Sequence, residues 1–184
     1  MNILHDLVAF YDRNIVRLQG WKPVPGSDIG FLYLVPSVYK GKPVTISDGT
    51  VIKKGDKFFE IHIINTNLHM LNTHYGNLFV MLKDELIKVG ELLEQEGYED
   101  YKAVLGITLL YRLAKRVGFT IFEIEPAWKR SMISFGENVL RSSLRKGKEE
   151  RKDKKKRYAK ECWISRDQIM NLKHQGGEEG ESSV

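Results

Sequence analysis

Apolar residues recur along this chain with two different periods, and the changes between them divide it into helices and strands. From Asn2 to Leu18, Leu4, Leu7, Val8, Tyr11, Ile15 and Leu18 fall on one stripe while Asp12, Arg13 and Arg17 lie elsewhere, the spacing of an amphipathic helix. Prolines and glycines crowd Trp21 to Gly30 and predict a loop. Phe31 to Tyr39 is aromatic and β-branched, so it reads as a strand in which Pro36 marks an edge or a bulge. Val44 to Ile46 and Thr50 to Ile52 flank Asp48-Gly49, a hairpin-turn dipeptide, and a second turn is expected at Lys54-Gly55-Asp56.

In Lys57 to Asn65 the two parities differ. Phe59, Ile61 and Ile63 form a wholly apolar face, whereas Phe58, Glu60, His62 and Ile64 form a mixed one, so Glu60 and His62 project together. Leu78, Leu82, Leu86, Val89 and Leu93 then repeat at helical spacing, and Tyr101, Leu105, Leu109, Leu113 and Val117 repeat so again, which predicts a helical hairpin in the middle of the chain. Ala103 and Gly106 imply close packing in its second arm, because glycine inside a helix is otherwise unfavourable. Gly118 suits a helix C-terminus, Phe119 to Ile124 a strand, and Pro126 the start of a helix through Trp128, Met132, Phe135 and Val139. Ala159 to Ile164 is a further strand. Ser165 and Gln168 then have capping-box spacing for a last helix, with Asp167 in its first turn.

The fold class expected is α+β: a single domain with a small, largely antiparallel sheet covered by helices. Its body is residues 1–140 plus 159–173, with a mobile basic connection over 141–158 and a disordered tail over 174–184 that has little to bury. The 184 residues, 42% of them hydrophobic, suffice for one core without disulfide staples, and the single Cys162 suits a reducing compartment. No apolar run approaches the roughly 20 residues of a membrane span, and the N-terminus has no signal-peptide pattern. A cytoplasmic location is therefore expected. The net charge of +5 is uneven: residues 1–140 carry 16 basic and 16 acidic side chains, 141–160 carry 11 and 3, and 161–184 carry 2 and 5. Lys152, Lys154, Lys155 and Lys156 in the basic segment are candidates for binding an anionic polymer or a membrane surface. With no aromatic residue between Arg141 and Arg157, sequence-specific nucleic-acid recognition is weakly supported.

The candidate chemistry is sparse. Glu60 and His62 suit a general acid/base pair or two metal ligands, or else a structural polar pair bonded to a neighbouring element or to water, and the structural reading is favoured. His69 and His74 match no zinc spacing, so no metal site is expected, and no cofactor is implied. Asn65, Asn67, Asn72 and Asn77 with Thr66 and Thr73 offer amides and hydroxyls to a sugar, but turn chemistry accounts for them more simply. Ser165 lacks a G-x-S-x-G setting, and its cap role explains it.

Ser47-Asp48-Gly49-Thr50, Lys54-Gly55-Asp56, Glu60-Ile61-His62 with Asn65, Arg112 through Gly118-Phe119, and Trp163-Ile164-Ser165-Arg166 occur in this order across most of Leu4 to Leu172. In this series the chain resembles the YkoP-like family of bacterial domains. That resemblance implies a link to cell-envelope carbohydrate metabolism, because such domains occur alone or attached to polysaccharide deacetylases. It implies no catalytic residues. The function expected is an accessory or binding domain, with a glycan or an envelope enzyme as partner and Asn65, Trp163 and Arg166 as candidate ligand contacts. A small hydrolase or transferase using Glu60 and His62 is the alternative.

Overall fold

The computed structural model describes residues 21–28, 30, 32–63, 75–125 and 158–181. The expected helices over 2–18 and from 126 onward, the 64–74 connection and the basic lysines lie outside these residues.

Eight strands occur among the described residues: β1 (Lys22–Pro23), β2 (Leu32–Val38), β3 (Val44–Thr45), β4 (Val51–Ile52), β5 (Lys57–Ile63), β6 (Tyr101–Thr108), β7 (Thr120–Glu123) and β8 (Lys160–Ser165). Three helices also lie among the described residues: α1 (Tyr75–Leu93), α2 (Tyr111–Val117) and α3 (Arg166–Glu181). Six strands make one sheet in the order β1-β2-β5-β6-β8-β7, and β3 pairs with β4 separately. All pairings are antiparallel except β5 with β6, which the chain reaches through the crossover containing α1. The fold is thus a mixed α+β domain. Pro36 is tolerated because β1 pairs only with Tyr33 and Leu34, leaving that part of β2 without a ladder partner on its outer side among the described strands.

Two layers follow from strand alternation. One sheet face presents Leu32, Leu34, Phe59, Val104, Cys162 and Ile164 to Leu82, Leu86, Val89 and Leu93 of α1, Leu113 and Val117 of α2, and Ile169 of α3. This is the main core. At one end of the opposite face, Ile46 and Ile52 of the β3–β4 hairpin cover Phe58, Ala103 and Trp163.

The middle of the chain departs from expectation, since no helical hairpin forms. After α1 the chain enters β6, and only Tyr111–Val117 is helical. Tyr101, Leu105 and Leu109 are spaced by four, a multiple of the strand period as well as nearly one helical turn, so this spacing alone could not separate the two. The deciding feature is the near-continuous apolar run with β-branched Val104, Ile107 and Thr108, which suits a strand central in a sheet, and Ala103 and Val104 are indeed buried on opposite faces. Close packing at Gly106 is real but lies between strands: a Cβ there would come within 3.1 Å of Ile61 Cγ1. Gly118 takes the left-handed cap of α2 with φ 115°. At the other end of the chain, α3 is helical from Arg166 to Glu181. Once the capped first turn exists, each further residue adds a hydrogen bond at modest cost.

Candidate functional site

β5 places Glu60 and His62 on the mixed sheet face, and β2 aligns Val35 with Glu60 and Tyr33 with His62. His62 Nε2 lies 3.8 Å from Glu60 Oε2, with side-chain exposures of 32% and 39%. That separation permits an ion pair when the imidazole is charged but exceeds a direct hydrogen bond. The hydroxyl of Ser37, next along this face of β2, donates to Glu60 Oε1 at 3.0 Å. On its other flank the His62 ring stacks on Trp21, with centroids 4.0 Å apart and planes at 12°. Leu105 of β6, paired with Glu60, extends this half-buried surface across the sheet. The result is an aromatic stack beside a carboxylate and a hydroxyl.

Sequence reasoning found Glu60 and His62 but missed Trp21 and Ser37. Trp21 sits at the edge of a proline-rich loop, and only the folding back of β1 onto β2 brings it near His62. Ser37 becomes a partner of Glu60 through strand pairing 23 positions away in sequence. No periodicity signals either contact.

The other candidates separate. Trp163 is fully buried, tilted against Phe58 at 5.1 Å and edge-on to Tyr39 at 5.5 Å. It is a core residue with no face to offer a ligand. Arg166 donates to the Leu93 carbonyl at 2.5 Å, the Tyr98 carbonyl at 2.7 Å and the Tyr101 carbonyl at 3.4 Å. Its guanidinium thereby satisfies carbonyls at the end of α1 and in the following turn. Asn65 and Lys152, Lys154, Lys155 and Lys156 lie outside the described residues, as do His69 and His74. Among the described residues no group of His, Cys, Asp and Glu has the geometry of a metal site.

A second polar cluster joins the hairpin turn to the start of α3. The Ser165 N–H donates to Gln168 Oε1 at 3.1 Å and the Gln168 N–H to Ser165 Oγ at 3.0 Å, the capping box predicted from the spacing. The Ser165 hydroxyl in turn donates to the Asp48 carboxylate. The Thr120 hydroxyl donates to Ser47 Oγ at 2.9 Å, the Ser47 N–H donates to Thr120 Oγ1 at 3.0 Å, and Gln168 Nε2 reaches Ser47 Oγ at 3.2 Å. Desolvation opposes the charge on Asp48, but hydrogen bonds from Ser165 and from the Thr50 N–H and hydroxyl outweigh it and hold the carboxyl below its usual range. Ser165, 1% exposed and already engaged on both sides, is a structural link here.

This arrangement defines a two-layer α+β domain whose described half-exposed polar group is the Trp21, His62, Glu60 and Ser37 set. The family model of the YkoP domain matches residues 1–173, and the chain belongs to that family. Comparison with curated proteins and with solved structures found no match.

Proposed function

We propose that this YkoP domain is a non-catalytic binding domain whose ligand is a carbohydrate of the bacterial envelope. The observation carrying the reading is the Trp21–His62 stack beside the Glu60 carboxylate on a partly exposed sheet face. Sugars are held by aromatic surface against their C–H faces and by a few fixed polar groups against their hydroxyls, and this set offers both. Catalysis is the less favoured reading because both groups already have partners on the sheet face, Glu60 accepting from Ser37 and His62 stacked on Trp21. The envelope assignment draws on the association of YkoP-like domains with polysaccharide deacetylases, and it carries an accessory role beside such an enzyme with it. The cytoplasmic location belongs to the same proposal. No helix among the described residues is long and apolar enough to cross a membrane.

Thermal shift and NMR titration with amino sugars, peptidoglycan fragments and divalent metals test this reading on the wild type, His62→Gln and Trp21→Ala. Both variants are expected to stay folded and to lose the sugar-induced shift, because the core is filled from the opposite face of β5. Marked destabilisation of ligand-free His62→Gln would make the histidine a structural group instead. Turnover abolished by His62→Gln would move the site to the hydrolase reading.

A further inference from the structure

One end of the sheet is closed by two adjacent turns, which backbone hydrogen bonds hold together: the Gly55 N–H donates to the Tyr39 carbonyl at 2.9 Å and the Tyr39 N–H to the Asp56 carbonyl at 2.9 Å. Lys40 and Lys42 stand on one turn and Lys53 and Lys54 on the other, all exposed. Val44 pairs with Ile52, and continuing that register outward brings Lys42 opposite Lys54, with Lys53 opposite Pro43, at the open end of the hairpin. The carboxylates nearby are already engaged. Asp56 holds Lys102 at 2.9 Å and the Lys53 N–H at 2.8 Å, Asp100 holds Lys57 at 3.3 Å, and Glu99 accepts from the Gly97 N–H at 3.0 Å. Among the described residues, none of Lys40, Lys42, Lys53 and Lys54 has a carboxylate within ion-pair distance, although the Lys53 charge helps to hold the Asp56 carboxyl low. Val38, 50% exposed, adds an apolar side chain to the same end.

We infer that this turn end, through Lys40, Lys42, Lys53 and Lys54 with Val38, docks the domain on an anionic lipid bilayer surface. Four exposed ammonium groups on flexible stems, none within ion-pair distance of a carboxylate among the described residues, match a diffuse layer of negative headgroups, which reads the number of charges rather than their exact placement. Val38 can enter the boundary between headgroups and acyl chains. A single-stranded nucleic acid fits less well, because this end presents lysines without an arginine and its aromatic residue, Tyr39, is turned inward, its hydroxyl donating to the Lys42 carbonyl at 2.7 Å and its ring against Trp163. The four lysines are distinct in sequence from the basic 141–160 segment, and the surface is apart from the Trp21–His62 group, which lies towards the opposite end of β5.

The test is co-sedimentation of the full chain with vesicles of phosphatidylglycerol and phosphatidylcholine, against vesicles of phosphatidylcholine alone. The variant changing Lys40, Lys42, Lys53 and Lys54 to Gln should keep its melting temperature and bind the anionic vesicles roughly several hundredfold more weakly, since each lysine near such a surface is worth about fivefold in affinity and the four factors multiply. Val38→Ser should weaken binding further without altering its salt dependence. The same substitutions in a background with Lys152, Lys154, Lys155 and Lys156 neutralised should produce the same proportional loss. No binding of the wild type to anionic vesicles, or an unchanged affinity in the fourfold variant, would overturn the inference. Tighter binding to an oligonucleotide than to the vesicles, lost in the fourfold variant, would overturn it in favour of a nucleic-acid partner.

Discussion

Trp163 and Arg166, three positions apart, show how differently neighbouring residues can be employed. The indole of Trp163 fills the space beneath the hairpin, and its N–H meets no acceptor among the described residues, so what the position uses is the size of the ring. Trp163→Ala should lower unfolding free energy by about 3–5 kcal/mol in a denaturant titration. A loss within the range of surface substitutions would contradict its burial. Arg166 instead spans three backbone carbonyls with a planar fork. Arg166→Ala should cost about 2–3 kcal/mol, and Arg166→Lys should recover little of it, because a single ammonium cannot reach carbonyls spread from Leu93 to Tyr101. Full recovery by lysine would show that charge alone matters there. The cap formed by Ser165 and Gln168 was legible because its partners are three residues apart. The targets of Arg166 lie 65 to 73 positions away and leave no trace in local spacing.

Elements were readable where their period was unambiguous. The alternation in Lys57–Ile63 and the apolar stripe of Tyr75–Leu93 each admit one interpretation, and both formed as expected. Tyr101–Thr108 admitted two, and burial on both faces removed the polar alternation that would have identified the strand. The β3–β4 hairpin was legible as a turn but not as a fastened one. Asp48 is held to Ser165 across 117 positions, and its carboxyl lies below the unfolded range, so in the window between the folded and unfolded values the unfolded chain binds more protons. The stabilisation is therefore complete above a pH of about 4 and is lost as pH falls through the folded value. Asp56, depressed by the Lys53 N–H and by Lys102 against a smaller desolvation effect, acts with the same sign. Melting temperature measured against pH should fall less steeply on the acid side for Asp48→Asn than for the wild type. Identical slopes would mean that the carboxylate does not fasten the hairpin.

At the scale of the molecule, the strand order was not recoverable, because it depends on which edges meet rather than on the content of any strand. The basic segment was recognisable by charge alone. Neutralising Lys152, Lys154, Lys155 and Lys156 is expected to leave the melting temperature nearly unchanged, since residues 145–157 have no apolar periodicity to contribute to a core. A large drop in differential scanning calorimetry would place that segment within the packed domain. The position of β8 in the sheet bears on how the chain is made. It stands between β6 and β7, both completed dozens of residues earlier, and it is the described neighbour of β7. During synthesis, a chain stalled before Lys160 would hold β6 with a bare edge, Ile46 and Ile52 without the indole they cover, and α1 without Arg166 at its end. Closure of both layers thus waits for one six-residue strand and the arginine after it. Until they leave the ribosome, the nascent domain carries an open sheet edge that a holding chaperone would recognise.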